Sequence, residues 1–566
     1  MSPGPGPLSL LLELLGLVLE LVLNPHDWLL SRSVAQPPGS RGPARPASRP
    51  QPHERPPHGR HRPTNQPPRR FGGPPREVPT IRADTTTSAD RRAALDRAAR
   101  LRQLPEVDQD VIRLAADPLF PRLLEQITAT GGCAHPIHLS GHTTTHDTTT
   151  GEILHHYDTR NEPGERLLVR CRNRRENVCP PCSRLHAGDT FHLVRAGLTG
   201  GKTVPPTVRE HPRLFVTLTA PSFGPVHRTT TDGKRCRPRR NTTGCEHSHP
   251  QSCPRRHEPT DPLVGQPLCP GCYDYTGHVL WHAHAGELWS RFTRNVRRHL
   301  AAAAGIVQSR FPDHARLSFA KVSEYQQRAA IHVHAVIRLD GPAGPGEPAP
   351  AWGTAELLTN AAKGAALRVL AHTPYSPALG EYALRWGTEL DARPLRASQG
   401  PDGLSDDAVA AYIAKYVTKG SGTTGTASGA DYRFTSAHNI ARAAVTPHIR
   451  NLMRTCWNLG DLPEFQPLHL RAWAHTLGYR GHILTKSLAY STTYTALRAE
   501  RANHERRETG ISEVVNAVTD SAWRYIDSGH TPGAALIAAG IAEDLIRNRL
   551  IAHTETRAPA RAAARA

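Results

Sequence analysis

The pattern of apolar and polar positions becomes regular at residue 88. From there Leu95, Ala98, Ala99 and Leu101 recur at helical spacing behind Ser88 and Asp90, which suit an N-terminal cap, so the pattern predicts a helix. Two more helices are predicted over about 105–116 and 121–127. The period then changes. Residues 214–219, Leu-Phe-Val-Thr-Leu-Thr, alternate and are rich in β-branched side chains, which predicts a strand, and 317–324 with 331–339 predict a strand pair. Between them 285–304 reads as a helix, and after the Gly/Pro linker 341–350 another helix runs up to Gly420. Beyond the Gly/Ser/Thr stretch 421–430, amphipathic segments near 440–446, 447–458, 468–477, 490–507 and 534–551 predict helices alone.

Composition changes the picture at the N-terminus. Residues 36–79 are Pro, Arg, Gly and His with almost no large apolar side chain, too little to repay the entropy of ordering, so a disordered basic arm is expected. The apolar run 8–23 has no basic residues before it, contains Glu13 and Glu20 and is short for a bilayer, so it is read as neither signal peptide nor anchor. No later segment reaches spanning length, and a cytoplasmic protein without a membrane partner is expected. The 566 residues carry a formal net charge of +20. Arg outnumbers Lys and is spread along the chain, as on folded surfaces that meet a polyanion, although a GC-rich genome raises Arg, Ala, Pro and Gly together.

Candidate chemistry begins at Ile331-His332-Val333-His334-Ala335. On a strand, residues i and i+2 share a face, so both imidazoles project together while Ile331, Val333 and Ala335 pack behind, an arrangement that offers two ligands to one divalent cation. The plain alternative is a pair of polar residues on a solvated strand face. A second segment, Ser405 to Gly420, reads as a capped helix with Asp406 and Asp407 in its first turn. Tyr412 and Tyr416 share one face, and Lys415 and Lys419 each follow a tyrosine by three residues. A phenol, with a pKa of about 10, is a weak nucleophile at neutral pH and needs a cation nearby, which such lysines supply; half-buried tyrosines beside solvated lysines would look the same.

Nine of the ten cysteines lie between Cys133 and Cys272, and their spacing points to metal rather than disulfides. Cys179-Pro-Pro-Cys182 is a knuckle, with Cys171 and Cys133 upstream completing four thiolates for one zinc. Cys269-Pro-Gly-Cys272 is a second knuckle, completed by Cys245 and Cys253, with Cys236, His247 and His257 as alternative partners. Four protein ligands leave no open position, so both zincs are expected to be structural. Cys456 reads as a buried apolar residue.

The order of these motifs, Thr-Leu-Thr, then His-x-His, then Tyr-x-x-x-Tyr-x-x-Lys, resembles the HUH endonucleases, in particular the two-tyrosine initiators of rolling-circle plasmids and single-stranded phages. The resemblance is closer still to the RepSA-like initiators of actinobacterial plasmids, in which a strand like Phe215 to Gly224 precedes a cysteine cluster, the histidine strand and the tyrosine helix; the likeness runs from about residue 101 to 494. The resemblance implies an α+β fold, a palm-like antiparallel sheet with helices on one side and the site on its open face. It implies that His332 and His334 bind Mg²⁺ or Mn²⁺, with Glu324 as the carboxylate ligand, and that Thr217 and Thr219 contact the site and its DNA. Tyr412 would attack the scissile phosphate and Tyr416 would serve in the later strand transfer. Implied partners are single-stranded DNA, plasmid origin DNA and a host helicase and polymerase. The organisation so expected is an arm over 1–87, a helical and zinc-knuckle region over 88–205, a nicking domain over 206–420 with a cysteine cluster inserted, and a helical region over 421–566 with a candidate DNA-recognition domain. A relaxase or transposase of the same chemistry, and a non-catalytic zinc-containing DNA-binding regulator, are the competing readings.

Overall fold

The structure is a computed structural model that describes residues 88–230, 234–237, 244–395, 405–418, 433–508 and 517–563. The predicted basic arm, Lys419, Gly420 and the stretch 421–430 lie outside the described residues. Among the described residues no helix is long and apolar enough to cross a membrane. The chain forms two units, residues 1–171 with 513–566, and residues 172–512.

The first unit opens with α1 (Ser88–Gln103), α2 (Glu106–Ala115), α3 (Phe120–Ala129), β1 (Ile137–Asp147), β2 (Ile153–Asp158) and β3 (Leu167–Val169). The second contains α4 (Pro180–Thr199), β4 (Arg213–Leu218), α5 (Tyr275–Ala303), β5 (Arg316–Tyr325), β6 (Ile331–Asp340), α6 (Ala355–Arg368), β7 (Ala371–His372), β8 (Ala383–Leu384), β9 (Leu390–Leu395), α7 (Asp406–Thr418), α8 (Ala437–Ala441), α9 (Pro447–Leu459), β10 (Leu484–Lys486) and α10 (Tyr494–Glu508). β11 (Ala517–Ser528) and α11 (Pro532–Ala563) return to the first unit.

In the first unit β1 pairs antiparallel with β2, β3 and β11. The C-terminal region was expected to be helical throughout, and β11 is a departure from that. It is held by main-chain pairing along its length, by Thr145 Oγ1 3.0 Å from Thr519 Oγ1, and by the Trp523 indole donating to Thr143 at 3.1 Å. Ile537, Ala538 and Ile541 of α11 pack with Ile127 of α3 as that unit's small core.

The second unit is built on a five-stranded antiparallel sheet in the order β10-β5-β6-β4-β9. Alternation sends Leu214, Val216, Leu218, Ile331, Val333, Ala335, Ile337 and Leu339 to one face, where they meet Trp281, Leu288 and Phe292 of α5, Leu358 and Ala362 of α6, and Leu452 and Met453 of α9. The opposite face sends Phe215, Ala320, Val322 and Val336 against Leu193 and Val194 of α4 and Val409, Ala410 and Ile413 of α7. Helices therefore cover both faces, where the resemblance implied one, because both sets of alternate positions are apolar over part of their length. α5 starts at Tyr275 rather than near residue 285, since the Asp274 carboxylate caps it by accepting the Gly277 N–H. Residues Pro463–Leu468 and Leu470–Thr476, within the C-terminal region expected to be helical, are 3₁₀ turns whose Phe465, Leu470 and Ala474 join the core of the sheet. Cys456 is buried there, its thiol donating to the Leu470 carbonyl and raised by burial, as an apolar residue would sit.

Candidate active site

Sheet register assembles the site. β5 sets Glu324 opposite His332, and β4 sets Thr217 opposite His334, so these four side chains leave the same face of the sheet. Behind them Ile331, Val333 and Ala335 are buried in the main core, as the alternation predicts. His334 Nε2 lies 3.6 Å from Glu324 Oε2, and its Nδ1 lies 3.0 Å from Thr217 Oγ1. The two imidazole centroids are 4.6 Å apart. The side-chain amide of Gln326, on the turn between β5 and β6, lies 3.2 Å from His332 Nδ1 and fixes that ring's plane. Its other nitrogen, Nε2, is buried without a hydrogen-bond partner among the described residues, a cost that a bound cation would remove. Burial, followed by the neighbouring His334 and Arg328, holds the His332 imidazole down to about 3, so it stands in the neutral, ligating form. Gln326 was not legible as a site residue, because nothing in its local sequence marks the turn that aims it.

The tyrosine helix lies over this face. Tyr412 Oη is 3.3 Å from His334 Nε2, and the Tyr412 ring meets both His334 and Phe215 edge to face, at 5.0 and 5.8 Å. Tyr416 stacks on His334 at 5.5 Å and lies 4.6 Å from the Tyr412 ring. Burial, then the hydrogen bond and charge of Tyr416 and the charge of Glu324, push the Tyr412 phenol above its ordinary value, so it needs positive charge brought in to ionise. Lys415 is exposed and reaches to 6.0 Å from the Tyr416 ring centroid. The Thr217 hydroxyl meets His334, whereas the Thr219 hydroxyl donates to the Glu389 carbonyl at 2.6 Å.

Both ends of α7 are fastened. Ser405 Oγ accepts the Ala408 N–H at 3.1 Å, the cap expected from sequence. Asp406 meets the fully buried Arg213 at 2.7 Å, and Arg213 also donates to the Leu198 carbonyl at the end of α4. At the other end Arg174 donates to the Val417 carbonyl at 3.0 Å. The Arg195–Asp407 pair is exposed and contributes little. Asp406→Ala would strand the Arg213 guanidinium in the interior and is expected to cost about 3–5 kcal/mol of stability, measured by urea unfolding against the parent chain.

The cysteines divide between the two units. In the first, Cys133 is buried and its sulfur accepts the Cys171 N–H at 3.4 Å. In the second, Cys179 stands at the N-cap of α4 with Cys182 in its first turn. The insert between β4 and α5 carries two further groups, His227 with Cys236, Cys253 and His257, and Cys245 with His247, Cys269 and Cys272; within each, the donor atoms all lie within 4.8 Å of one another. Cys253 was expected with Cys245, Cys269 and Cys272. It sits instead in the other group, and His247 takes its place, because the two groups interleave along the chain and proximity in sequence does not separate them.

A family model described as RepSA, replication initiator protein, pSAM2, matches residues 119–543. A replication initiator protein of Streptomyces ambofaciens is 44% identical over 460 residues, covering 79% of this chain and 95% of that protein. No solved structure matches.

Proposed function

This chain belongs to the RepSA family of replication initiator proteins, and from that premise we propose that it cuts one strand of plasmid origin DNA through a tyrosine and later rejoins it, the chemistry of rolling-circle replication. The observation that carries this reading is the Tyr412 hydroxyl 3.3 Å from His334 Nε2, over the strand that also presents His332.

In this reading the Tyr412 oxygen attacks the scissile phosphorus. A phosphorus–oxygen bond forms to the tyrosine as the bond to the 3′ oxygen breaks, and the proton the phenol loses balances the one that the 3′ oxygen takes up. The products are a 5′-phosphotyrosyl link and a 3′-hydroxyl that primes a host polymerase behind a host helicase. Tyr416, within one helical turn on the same face, is placed to take the strand in the second transfer, and Lys415 brings positive charge to its ring. His332, His334 and Glu324 would hold Mg²⁺ or Mn²⁺, and His332 Nε2, without a partner among the described residues, fits that role; a cation held there would supply Lewis-acid polarisation of the phosphate. Gln326 supports His332 from behind, so Gln326→Leu is expected to weaken divalent-cation affinity about 10–100-fold in a calorimetric Mn²⁺ titration. Cys245, His247, Cys269 and Cys272 would hold a structural zinc, four donors with no open position.

Incubating the chain with Mn²⁺ and each labelled strand of its plasmid origin tests the proposal. A single nick in one unpaired strand, with a free 3′ end, supports it. Tight duplex binding with no cleavage under any divalent cation would favour the regulator reading.

A further inference from the structure

We propose that the insert between β4 and α5 holds two metal ions, the second in a Cys₂His₂ zinc site formed by His227, Cys236, Cys253 and His257, and that this metal braces the turn that aims His332. The site itself stands independently of DNA cutting; only the consequence for His332 rests on the function proposed above.

The four donor atoms all lie within 4.8 Å of one another, close to the spacing of tetrahedral zinc ligands. His227 Nδ1 lies 3.1 Å from His257 Nε2, Cys253 Sγ 3.3 Å from His257 Nε2, and Cys236 Sγ 3.9 Å from His227 Nδ1. Zinc bonds of about 2.0–2.3 Å at tetrahedral angles place neighbouring ligands about 3.3–3.8 Å apart. The outer contacts fit as well. Asp261 Oδ2 is 2.6 Å from His257 Nδ1, which holds the ring proton on that side and leaves the Nε2 lone pair facing the other three donors, as carboxylates behind zinc-bound histidines do. The Arg228 N–H donates to Cys236 Sγ at 3.3 Å. None of these donors is shared with the Cys245, His247, Cys269 and Cys272 group.

Energetics favour a cross-link here. Among the described residues of the insert, the buried apolar cluster apart from the main core is Cys236, Cys253 and Leu268, too small a core to hold this part of the segment by burial alone. The bridge Arg237 to Cys253 and the Cys236 N–H bond to the Arg255 carbonyl bring the ligand-bearing strands together but bury little.

From His227 the contacts run directly to the active-site turn. The His227 N–H donates to the Gln266 carbonyl and the Gly265 N–H to the His227 carbonyl, both at 2.8 Å. Gly265, at φ +86°, then lies so close to the turn that a Cβ there would fall 2.1 Å from the Gln327 carbonyl oxygen. The Gln327 side chain donates to the Pro259 carbonyl at 3.2 Å, two residues after ligand His257. The turn needs such support: Ala329 is held at φ +65°, a left-handed conformation that an L-residue with a Cβ adopts only under constraint. His448 holds the same turn from α9 by bonding the Arg328 carbonyl at 3.1 Å. Gln326, the residue that contacts His332, begins it.

The test uses the full chain and needs no DNA. Zinc content is measured for the parent, Cys253→Ser, Cys272→Ser and the double variant. Each single variant is expected to lose one equivalent and the double variant two; a Cys253→Ser chain with the parent's zinc content, or a double variant that loses only one equivalent, overturns the second site. Should Cys253→Ser misfold, the conservative His257→Cys variant carries the question: in the Co²⁺-loaded chain it is expected to keep the metal count and strengthen the sulfur-to-cobalt absorption, and an unchanged spectrum overturns the assignment. For the brace, Gly265→Ala leaves every donor in place. It is expected to keep the zinc and to speed amide hydrogen exchange over 326–333 by about tenfold or more with 335–339 unchanged; unchanged exchange over 326–333 refutes the brace while leaving both zinc sites, and the cutting reaction, to stand on their own measurements.

Discussion

Replacing Tyr412 and Tyr416 together by Phe is expected to lower strand cutting by about ten-thousand-fold or more, because it removes both nucleophilic oxygens and nothing else. The rings keep their places: the edge-to-face contacts of residue 412 with Phe215 and His334, and the stacking of residue 416 on His334, are made by carbons that Phe retains. Tyr412 is 36% exposed, its hydroxyl meets His334 Nε2 and Tyr416, and His334 Nε2 keeps Glu324 at 3.6 Å, so loss of the hydroxyl leaves no buried polar group stranded inside the protein, and the melting temperature should stay close to the parent's. The single variants separate the roles. Tyr416→Phe is expected to make the first nick at near the parent rate and to fail in rejoining, while Tyr412→Phe is expected to lose the first nick. A denaturing gel of labelled origin strand resolves all three, and a double variant that still nicks would remove tyrosine chemistry from the account.

His332→Ala is expected to lower cutting by about a thousand-fold, a loss of several kcal/mol of charge stabilisation at the phosphate, with binding of single-stranded origin DNA retained. The imidazole is largely enclosed, its Nδ1 is engaged by Gln326, and its Nε2 has no partner among the described residues, so the ring contributes a donor rather than a structural bond on that side. Chelation of the parent chain should give the same loss. Added Mn²⁺ should then restore the parent and leave the variant inactive, whereas a variant that responds to Mn²⁺ like the parent would place the cation elsewhere.

What the sequence made legible was local in character. The face shared by His332 and His334 follows from a period of two, that shared by Tyr412 and Tyr416 from a period near four, and the Ser405 cap from one side chain and its own helix. Chain order and spacing could not show which face of the sheet α7 covers. Arg213 and Asp406, which anchor it, are nearly two hundred positions apart by the separation of 193 residues, and neither motif looks special alone. β11 was hidden for the same reason: its side chains are mostly exposed and scarcely alternate in character, and the pairing that makes it a strand is with Ile137–Asp147, far back along the chain. The cysteine knuckles pointed to groups that could hold metal but not to how the donors divide among them. Two groups that interleave, one of them using His227 and His257, are separated by folding rather than by spacing.

The most direct measurement is peptide mapping by mass spectrometry of the chain after reaction with single-stranded origin DNA and Mn²⁺, followed by nuclease and protease digestion. A nucleotide mass attached to the peptide through the 5′ phosphate at Tyr412 or Tyr416 is the predicted result. A nicked strand with no adduct on either tyrosine would contradict the account, because cutting would then proceed through water or another residue.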